Sequence, residues 1–245
     1  MSFNKFFGHD IDFNKAATMF TGHHLLLFIC AVAAIVLTLL FAQKIKEHPM
    51  EKKLKIYIAI LLIVLEVGYH IHNWTYPRTS IPLHLSSMAT MLCIVLLFTN
   101  SKRVFQYAFF FGVLGGVMAL TFPNSLGYTY LSFRYYHFIL LHVLILVVPL
   151  YYYKAYGYRV VNYRKLLEIY SVVLALGVVV YWINSILGTN YWFIYEIPKN
   201  VGSVFKRFPV YIISFFSLVF GTMNVLYYFS HYRFHSNETQ LVEQT

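Results

Sequence analysis

Residues 22–42 of the chain, GHHLLLFICAVAAIVLTLLFA, contain no Asp, Glu, Lys or Arg. A helix of this length spans about 30 Å, which matches the hydrocarbon thickness of a bilayer. No basic segment stands directly before the run, and no Ala-x-Ala cleavage pattern follows it. We therefore interpret it as a retained transmembrane helix rather than a cleaved signal peptide.

Further apolar runs follow the first, and the composition agrees with them. The 245-residue chain is 59% hydrophobic and only 11% charged, against roughly 25% charged residues in soluble domains. This shortfall argues against a soluble enzyme, and 20% aromatic residues exclude disorder. The predicted spans cover residues 22–42, 56–74, 82–99, 104–122, 135–153, 166–187 and 209–230. We predict an all-α, polytopic membrane helical bundle with about seven transmembrane helices, with no length left for a soluble domain.

The distribution of basic residues predicts how this bundle crosses the membrane. With seven spans, residues 44–55, 100–103, 154–165 and the C-terminal tail share one side and carry twelve of the 19 Lys and Arg residues. Because cytoplasmic loops are enriched in these residues, we expect the N-terminus outside and the C-terminus inside. The domains are then an outer N-terminal segment (residues 1–21), the transmembrane domain (22–230) and a cytoplasmic tail (231–245). The net charge of +10 indicates contact with anionic lipid rather than nucleic acid.

Polar residues inside the spans are the candidates for function, because they are costly in a bilayer. Glu66, His70 and Asn73 lie four and seven residues apart, so they share one helix face. Glu66 is about 12 Å from the predicted outer end of its span. It therefore needs a partner, either in a structural Glu–His or Glu–Arg pair or in a functional cavity.

Spans three and five bring further polar groups to the same predicted outer half. Span three is predicted to start at Pro82 and carries His84 and three hydroxyl residues; span five begins beside Arg134 and carries His142. The hydroxyl residues are Ser86, Ser87 and Thr90. A lone hydroxyl in a membrane helix usually bonds its own backbone or a neighbouring helix.

Two kinds of chemistry fit these residue types. A serine or threonine hydroxyl becomes a nucleophile when a histidine removes its proton and a carboxylate orients that histidine. Alternatively, His70, His84, His142 and Glu66 are suitable ligand types for zinc. The sequence contains no H-E-x-x-H, G-x-S-x-G or C-x-x-C motif, and we predict neither a metal nor a cofactor. Cys30 and Cys93 stand in apolar runs and are interpreted as small hydrophobic residues.

Several motifs in order resemble a known family. They are Glu66-Val-Gly-Tyr, Pro82-Leu-His-Leu, Gly115-Gly-Val-Met-Ala-Leu-Thr-Phe-Pro123, His142-Val-Leu-Ile-Leu-Val-Val-Pro149 and Gly188-Thr-Asn-Tyr191. Together they resemble the YwaF-type bacterial integral membrane proteins and the related eukaryotic transmembrane protein 164 family, over roughly residues 60 to 210. The eukaryotic branch is linked to acyl transfer onto lysophospholipids and is similar to androgen-induced membrane hydrolases, which use a Cys or Thr nucleophile with a histidine.

The resemblance assigns roles residue by residue. The family histidine of span five matches His142, and the span-three histidine matches His84. The nucleophilic cysteine of the eukaryotic branch falls on Leu83, which has no nucleophilic group. Bacterial relatives tend to have cysteine where Ser86 stands, so Ser86, or else Ser87 or Thr90, would replace it.

We therefore expect a multi-pass protein of the bacterial plasma membrane that acts on membrane lipids. The first hypothesis is an acyltransferase or lipid acyl hydrolase working on (lyso)phospholipid or lipoprotein acyl chains at the outer leaflet. In it, Ser86 is the nucleophile, His142 the base, Glu66 the orienting carboxylate and His84 an oxyanion or headgroup contact. Substrate-binding residues are Arg134, His70, Asn190 and Tyr191. The second hypothesis is lipid or small-solute binding or transport through the same cavity, and the third is a structural subunit that stabilises a partner.

Overall fold

The computed structural model describes residues 6–9, 22–75, 80–121, 128–195 and 209–231. Within these ranges the chain forms α-helices and no strand, which confirms the all-α prediction. Seven α-helices have both ends in the described ranges: α1 (Gly22–Glu47), α2 (Glu51–Trp74), α3 (Leu85–Thr99), α4 (Lys102–Thr121), α5 (Phe133–Ala155), α6 (Tyr163–Leu187) and α7 (Val210–His231). A 3-10 helix at Tyr191–Phe193 follows α6. The predicted N-terminal segment, apart from residues 6–9, and the predicted tail beyond His231 lie outside the described residues.

Six of these helices are long and apolar enough to cross a membrane, and α3 is the exception. The prediction that this span starts at Pro82 was wrong, because α3 begins at Leu85 and has 15 residues. Such a helix is about 22 Å long, shorter than a bilayer core of about 30 Å. Residues 80–84 precede it without helical structure. We call this segment the non-helical strip.

Side chains from other elements form hydrogen bonds with backbone groups of the non-helical strip. Trp74 donates its indole N–H to the carbonyl oxygen of Ser80 (2.9 Å), and the Ile81 amide donates to the hydroxyl of Tyr191 (3.0 Å). The indole N–H of Trp192 donates to the carbonyl oxygen of Leu83 (2.7 Å). Non-helical backbone at membrane depth occurs where protein buries it or where it lines a cavity. Contacts within the protein therefore hold the strip in its non-helical conformation.

Helices α4 and α5 form the centre of the bundle. Glycines of α4 allow this contact, because a Cβ at Gly112 would collide with the carbonyl oxygen of Ile145, and one at Gly116 would lie 2.8 Å from Leu146 Cβ. The backbone of α5 thus lies directly against α4, as small residues permit in membrane bundles. Helix α3 packs on both of these helices, whereas α1 packs mainly on α5 and α6 pairs with α7. Most of the surfaces of α1, α6 and α7 remain open to lipid.

The bundle has two ends, which we name after a buried cation in each. The Arg134 end is where α2 stops, where the non-helical strip leads into α3 and where α5 begins; it contains Arg134. The Lys55 end is where α2 begins and α5 stops; it contains Lys55. These positions place the polar residues of spans two, three and five, which the sequence singled out, in the Arg134 half of the bundle.

Candidate functional site

A chain of hydrogen bonds at the Arg134 end joins a serine, a histidine and a glutamate. The Ser80 hydroxyl lies 2.8 Å from Nδ1 of His70, and Nε2 of His70 lies 3.2 Å from Oε1 of Glu66. The Asn73 side-chain amide donates to the same Ser80 oxygen at 2.9 Å. All four residues are buried. We call Ser80, His70 and Glu66 the hydroxyl–imidazole relay.

With a neutral His70 and an ionised Glu66, the protons in this relay have one consistent arrangement. Because the Ser80 oxygen accepts a hydrogen bond from Asn73, its own proton is free to point at Nδ1 of His70. A neutral imidazole that accepts at Nδ1 carries its proton on Nε2, which then donates to the Glu66 carboxylate. This is the order of hydroxyl, base and orienting carboxylate found in nucleophilic hydrolases.

The sequence predicted part of this relay. Glu66, His70 and Asn73 were expected on one helix face, and their hydrogen bonds confirm it, including the expected Glu–His pair. Ser80 was missed, because it stands in the short link after Trp74 and belongs to no periodic pattern. Ser80 lies beside His70 only in the folded protein, where its carbonyl oxygen accepts the indole N–H of Trp74.

Arg134 is the second feature of the site. The residue is only 7% exposed. Its guanidinium lies over the rings of Tyr69 (4.1 Å to the ring centroid) and Tyr128 (5.4 Å). Its Nε and Nη1 atoms are buried without a hydrogen-bond partner in the described structure. Buried polar groups are normally paired, and an unpaired buried charge is costly. The two N–H groups therefore mark a place for an anion.

Histidines surround this cation. His84 occupies the position before the first residue of α3, and its ring lies 4.7 Å from that of Tyr191. It is close enough to Arg134, His142 and His70 for their charges to act on it. His137 stacks on Tyr69 at 5.5 Å, on whose ring Arg134 also packs. The relay and the guanidinium are thus linked through the neighbouring residues Tyr69 and His70.

The predicted residues of α3 and α5 are placed differently from a Ser86–His142–Glu66 triad. His142 directs Nδ1 at the carbonyl oxygen of Phe138 (2.6 Å), and since a carbonyl only accepts, Nδ1 carries the proton and Nε2 is the basic nitrogen. Glu66 bonds His70 instead of His142. Among the described residues no hydrogen bond joins the half-buried Ser86 to a histidine. Thr90 bonds its own helix through the carbonyl oxygen of Ser86, as expected for a lone hydroxyl.

Asn190 and Tyr191, predicted to bind substrate, take part in the fold of the segment after α6. Tyr191 shares two hydrogen bonds with the fully buried Asn184 and accepts the Ile81 amide. Asn190 accepts the amide of Tyr195. Trp192, which bonds the non-helical strip, has a left-handed backbone (φ 59°). This conformation costs about 1–3 kcal/mol for a residue other than glycine. These contacts position the strip that carries Ser80 and His84.

The described residues contain no group of three or more His, Cys, Asp or Glu side chains arranged to hold a metal ion. His70, the central histidine of the zinc alternative, already has both ring nitrogens in hydrogen bonds. Cys93 is fully buried among apolar side chains and Cys30 faces outward on α1. The arrangement is therefore suited to acid–base chemistry and anion binding.

These features define a class: a multi-pass helical membrane protein with a buried serine–histidine–glutamate relay and, close to it, an arginine whose Nε and Nη1 have no hydrogen-bond partner among the described residues. Comparison with known proteins gives the family. The model of the TMEM164 family matches residues 19–227, so the chain belongs to the TMEM164 family. No curated protein and no solved structure matches the chain.

Proposed function

We propose that the protein transfers or hydrolyses acyl chains of (lyso)phospholipids at the Arg134 end of the bundle, with the hydroxyl–imidazole relay as its catalytic centre. The observation that carries this proposal is the series of hydrogen bonds from Ser80 through His70 to Glu66, with spacings of 2.8 and 3.2 Å. Acyl transfer was expected from the family resemblance, and the relay supplies the groups that this chemistry needs.

The proposed reaction has two half-steps. The Ser80 oxygen attacks the ester carbonyl of a lipid while Nδ1 of His70 takes the serine proton. The ester C–O bond then breaks, and the departing alkoxide takes that proton, leaving an acyl-serine and a lipid with one chain fewer. In the second half-step a hydroxyl of a lysolipid, or water, gives its proton to His70 and attacks the acyl-serine. The bond between the acyl carbon and the Ser80 oxygen then breaks, the acyl chain leaves as a new ester or as a free fatty acid, and His70 returns the proton to Ser80. Glu66 holds the imidazole and stabilises its charged form.

Arg134 is proposed to bind the phosphate of the lipid headgroup. Its buried Nε and Nη1 have no hydrogen-bond partner in the described residues, and guanidinium N–H groups form strong charge-assisted hydrogen bonds to phosphate oxygens. His84 lies close to both Arg134 and His70 and is proposed as an additional donor to the headgroup or to the developing oxyanion. Arg134 thereby fixes the ester relative to the relay.

The pair predicted from the sequence, Ser86 with His142, is the competing nucleophile and base. His142 retains a basic Nε2, and Ser86 is half-buried on the first turn of α3. In this alternative Glu66 and His70 hold the fold, and Ser80 only ties the chain back over α2. The two sites differ in which serine becomes acylated, so covalent labelling separates them.

A fluorophosphonate probe, which reacts with activated serines, tests the proposal on the purified full chain. We expect mass spectrometry to find the adduct on Ser80, Ser80→Ala to abolish labelling, and Ser171→Ala, a control on α6 whose hydroxyl bonds its own helix, to leave it unchanged. Lysophospholipid acyl turnover should fall by about 10³-fold or more in Ser80→Ala and in His70→Ala, and the double variant should be little worse because the groups act together. An adduct on Ser86, lost in His142→Ala, would transfer the role to the predicted pair.

One observation favours a second candidate function, lipid binding without chemistry. Ser80 is only 4% exposed and also receives the bonds from Asn73 and Trp74, which would suit a purely structural serine. In that case no serine is labelled and no acyl product forms, but lysophospholipid binding still depends on Arg134.

We further propose that the Arg134 end faces the outside of a bacterial plasma membrane, on the excess of basic residues predicted at the opposite side. In a variant lacking Cys30 and Cys93, a membrane-impermeant maleimide added to intact cells should label Tyr130→Cys and spare Lys52→Cys. The reverse pattern would invert the orientation.

A further inference from the structure

A crevice on the lipid-facing side of the bundle ends at the candidate site. It lies between α1, α2 and α5 and has a volume of about 400 Å³. Ten residues line it, among them Leu27, Cys30 and Ala31 of α1, Leu65 of α2, and His137 and Val143 of α5. Its walls are mainly hydrocarbon, and the polar side chains among them are Cys30, Tyr136 and His137.

The position of the crevice along the bundle follows from its lining residues. On α5 it extends from Phe133, the first residue of the helix, to Val143, a distance of about 15 Å. It therefore runs from the Arg134 end to about the middle of the membrane, the depth of one lipid leaflet. At its outer end Phe6 and Phe7 pack on Phe133 with ring centroids 6.3 and 5.3 Å apart. Tyr136 and Leu140 of the lining are exposed on the side of the bundle, so the crevice opens sideways toward lipid.

His137 connects this apolar crevice to the unpaired cation. Its Nε2 donates to the carbonyl oxygen of Leu65 (2.9 Å), which holds the imidazole at the crevice wall. Its ring stacks on Tyr69, and the guanidinium of Arg134 lies on Tyr69 as well, at 4.1 Å. The crevice, which is as deep as one leaflet, thus reaches through His137 the ring of Tyr69, on which Arg134 also packs. Arg134 is a buried cation with no anionic partner in the described residues. This combination fits an amphiphile with an anionic head and a hydrocarbon tail.

We infer that the crevice between α1, α2 and α5 holds an acyl chain of the phospholipid whose phosphate is bound by Arg134. The inference rests on the proposed function for the headgroup and adds the binding site of the tail. An ordinary bilayer lipid would fill any groove with hydrocarbon. What distinguishes the inferred site is that occupancy of the crevice depends on the phosphate.

Two neighbouring positions on α1 give a matched pair of variants. Cys30 faces outward and lines the crevice, so Cys30→Phe fills it without replacing a core residue. Ile29 is 56% exposed and is outside the crevice lining, so Ile29→Phe adds the same ring on the lipid-facing surface. Both variants leave the relay and Arg134 unchanged.

The probe is a lysophospholipid with a diazirine in the middle of its acyl chain, added to the full-length protein in phosphatidylcholine vesicles. After illumination we expect adducts on peptides that contain residues 27–31 and 136–143. Unlabelled lysophospholipid should compete at least about tenfold better than a monoacylglycerol of the same chain length. Cys30→Phe should lower crevice labelling by about tenfold, Ile29→Phe should not, and Arg134→Gln should weaken competition by about 10- to 100-fold, the range expected for loss of a charge-assisted pair.

Three outcomes would overturn the inference: equal competition by the two lipids, which indicates bulk lipid only; labelling of Cys30→Phe at the wild-type level; or adducts confined to other helices. Failure of the proposed function has a different signature. If the crevice is labelled as expected but no acyl turnover or serine adduct is found, the tail site stands and the catalytic proposal fails. If turnover requires Arg134 while Cys30→Phe leaves both labelling and turnover unchanged, catalysis stands and the tail site is wrong.

Discussion

Each end of the bundle buries a cation, but the two ends differ in how many hydrogen-bond partners that cation has. At the Lys55 end, the ammonium of Lys55 donates to Glu51 (2.8 Å), to Asn100 Oδ1 (2.9 Å) and to Tyr156 OH (2.9 Å). At the Arg134 end, two guanidinium nitrogens have no partner in the described part of the chain. A cation buried for structural reasons uses all its donors, whereas the unpaired donors of Arg134 remain available to a ligand.

Tyrosines complete the network at the Lys55 end. Tyr151 and Tyr156 both donate to Oε1 of Glu51, at 3.0 and 2.7 Å, and Tyr152 donates to Asn100 Oδ1 at 2.6 Å. These bonds tie α2, α5 and the loop after α3 together. By contrast, the four buried side-chain atoms that lack partners within the described residues all belong to His72, Arg134 and Tyr135. They gather at the end that holds the relay.

The largest expected effect is on the stability of the Lys55 end. Lys55→Met removes one member of a buried ion pair and leaves the Glu51 carboxylate without its cation, so it should lower the free energy of unfolding by about 3–5 kcal/mol. Denaturant titration of the purified protein in one detergent measures this. Lys53→Met, at an exposed position two residues earlier, should change the same quantity by less than about 0.5 kcal/mol. Equal stability of the two variants would remove the structural role assigned to this end.

An intermediate effect on stability is expected at the contact between α4 and α5, which runs from one end of the bundle towards the other. Gly112→Ala inserts a methyl group against the carbonyl oxygen of Ile145 and should destabilise the protein by about 1–3 kcal/mol, because the helices must separate. Gly115→Ala is the control, since its nearest neighbours would lie 3.9 and 4.0 Å away in ordinary contact. Thermal unfolding in the same detergent compares them. Similar losses in both variants would show that α4 and α5 are not in direct backbone contact.

The smallest effect on stability is expected at Arg134. Arg134→Met loses the stacking on Tyr69 but breaks no hydrogen bond at Nε or Nη1 and removes a buried charge, so the free energy of unfolding should change by less than about 1 kcal/mol. Lysophospholipid should raise the melting temperature of the wild-type protein and have little effect on the variant, because a ligand stabilises only the protein that binds it. A loss as large as that in Lys55→Met would mean that Arg134 holds the fold.

Part of the site could be predicted from spacing alone. Residues four and seven apart on a helix must share a face, and this places Glu66, His70 and Asn73 together before any tertiary contact is known. Ser80 follows no such rule. It reaches His70 because residues 80–84 are non-helical and are held by Trp74, Tyr191 and Trp192. Contacts between residues 110 positions apart leave no periodic trace in the sequence.

The sequence by itself determined that the chain is a helical membrane bundle, because continuous apolar runs of about 20 residues satisfy their backbone hydrogen bonds in lipid as helices. It also determined which spans carry polar residues, because each such residue is visible as an interruption of an apolar run. Only the tertiary structure decided where α3 begins, since the start depends on side chains from two distant segments that bond residues 80–83. It likewise decided that Glu66 pairs with His70 rather than His142, and that Lys55 is saturated while Arg134 is not. These outcomes depend on which hydrogen-bonding groups the folded chain brings within about 3 Å of each other.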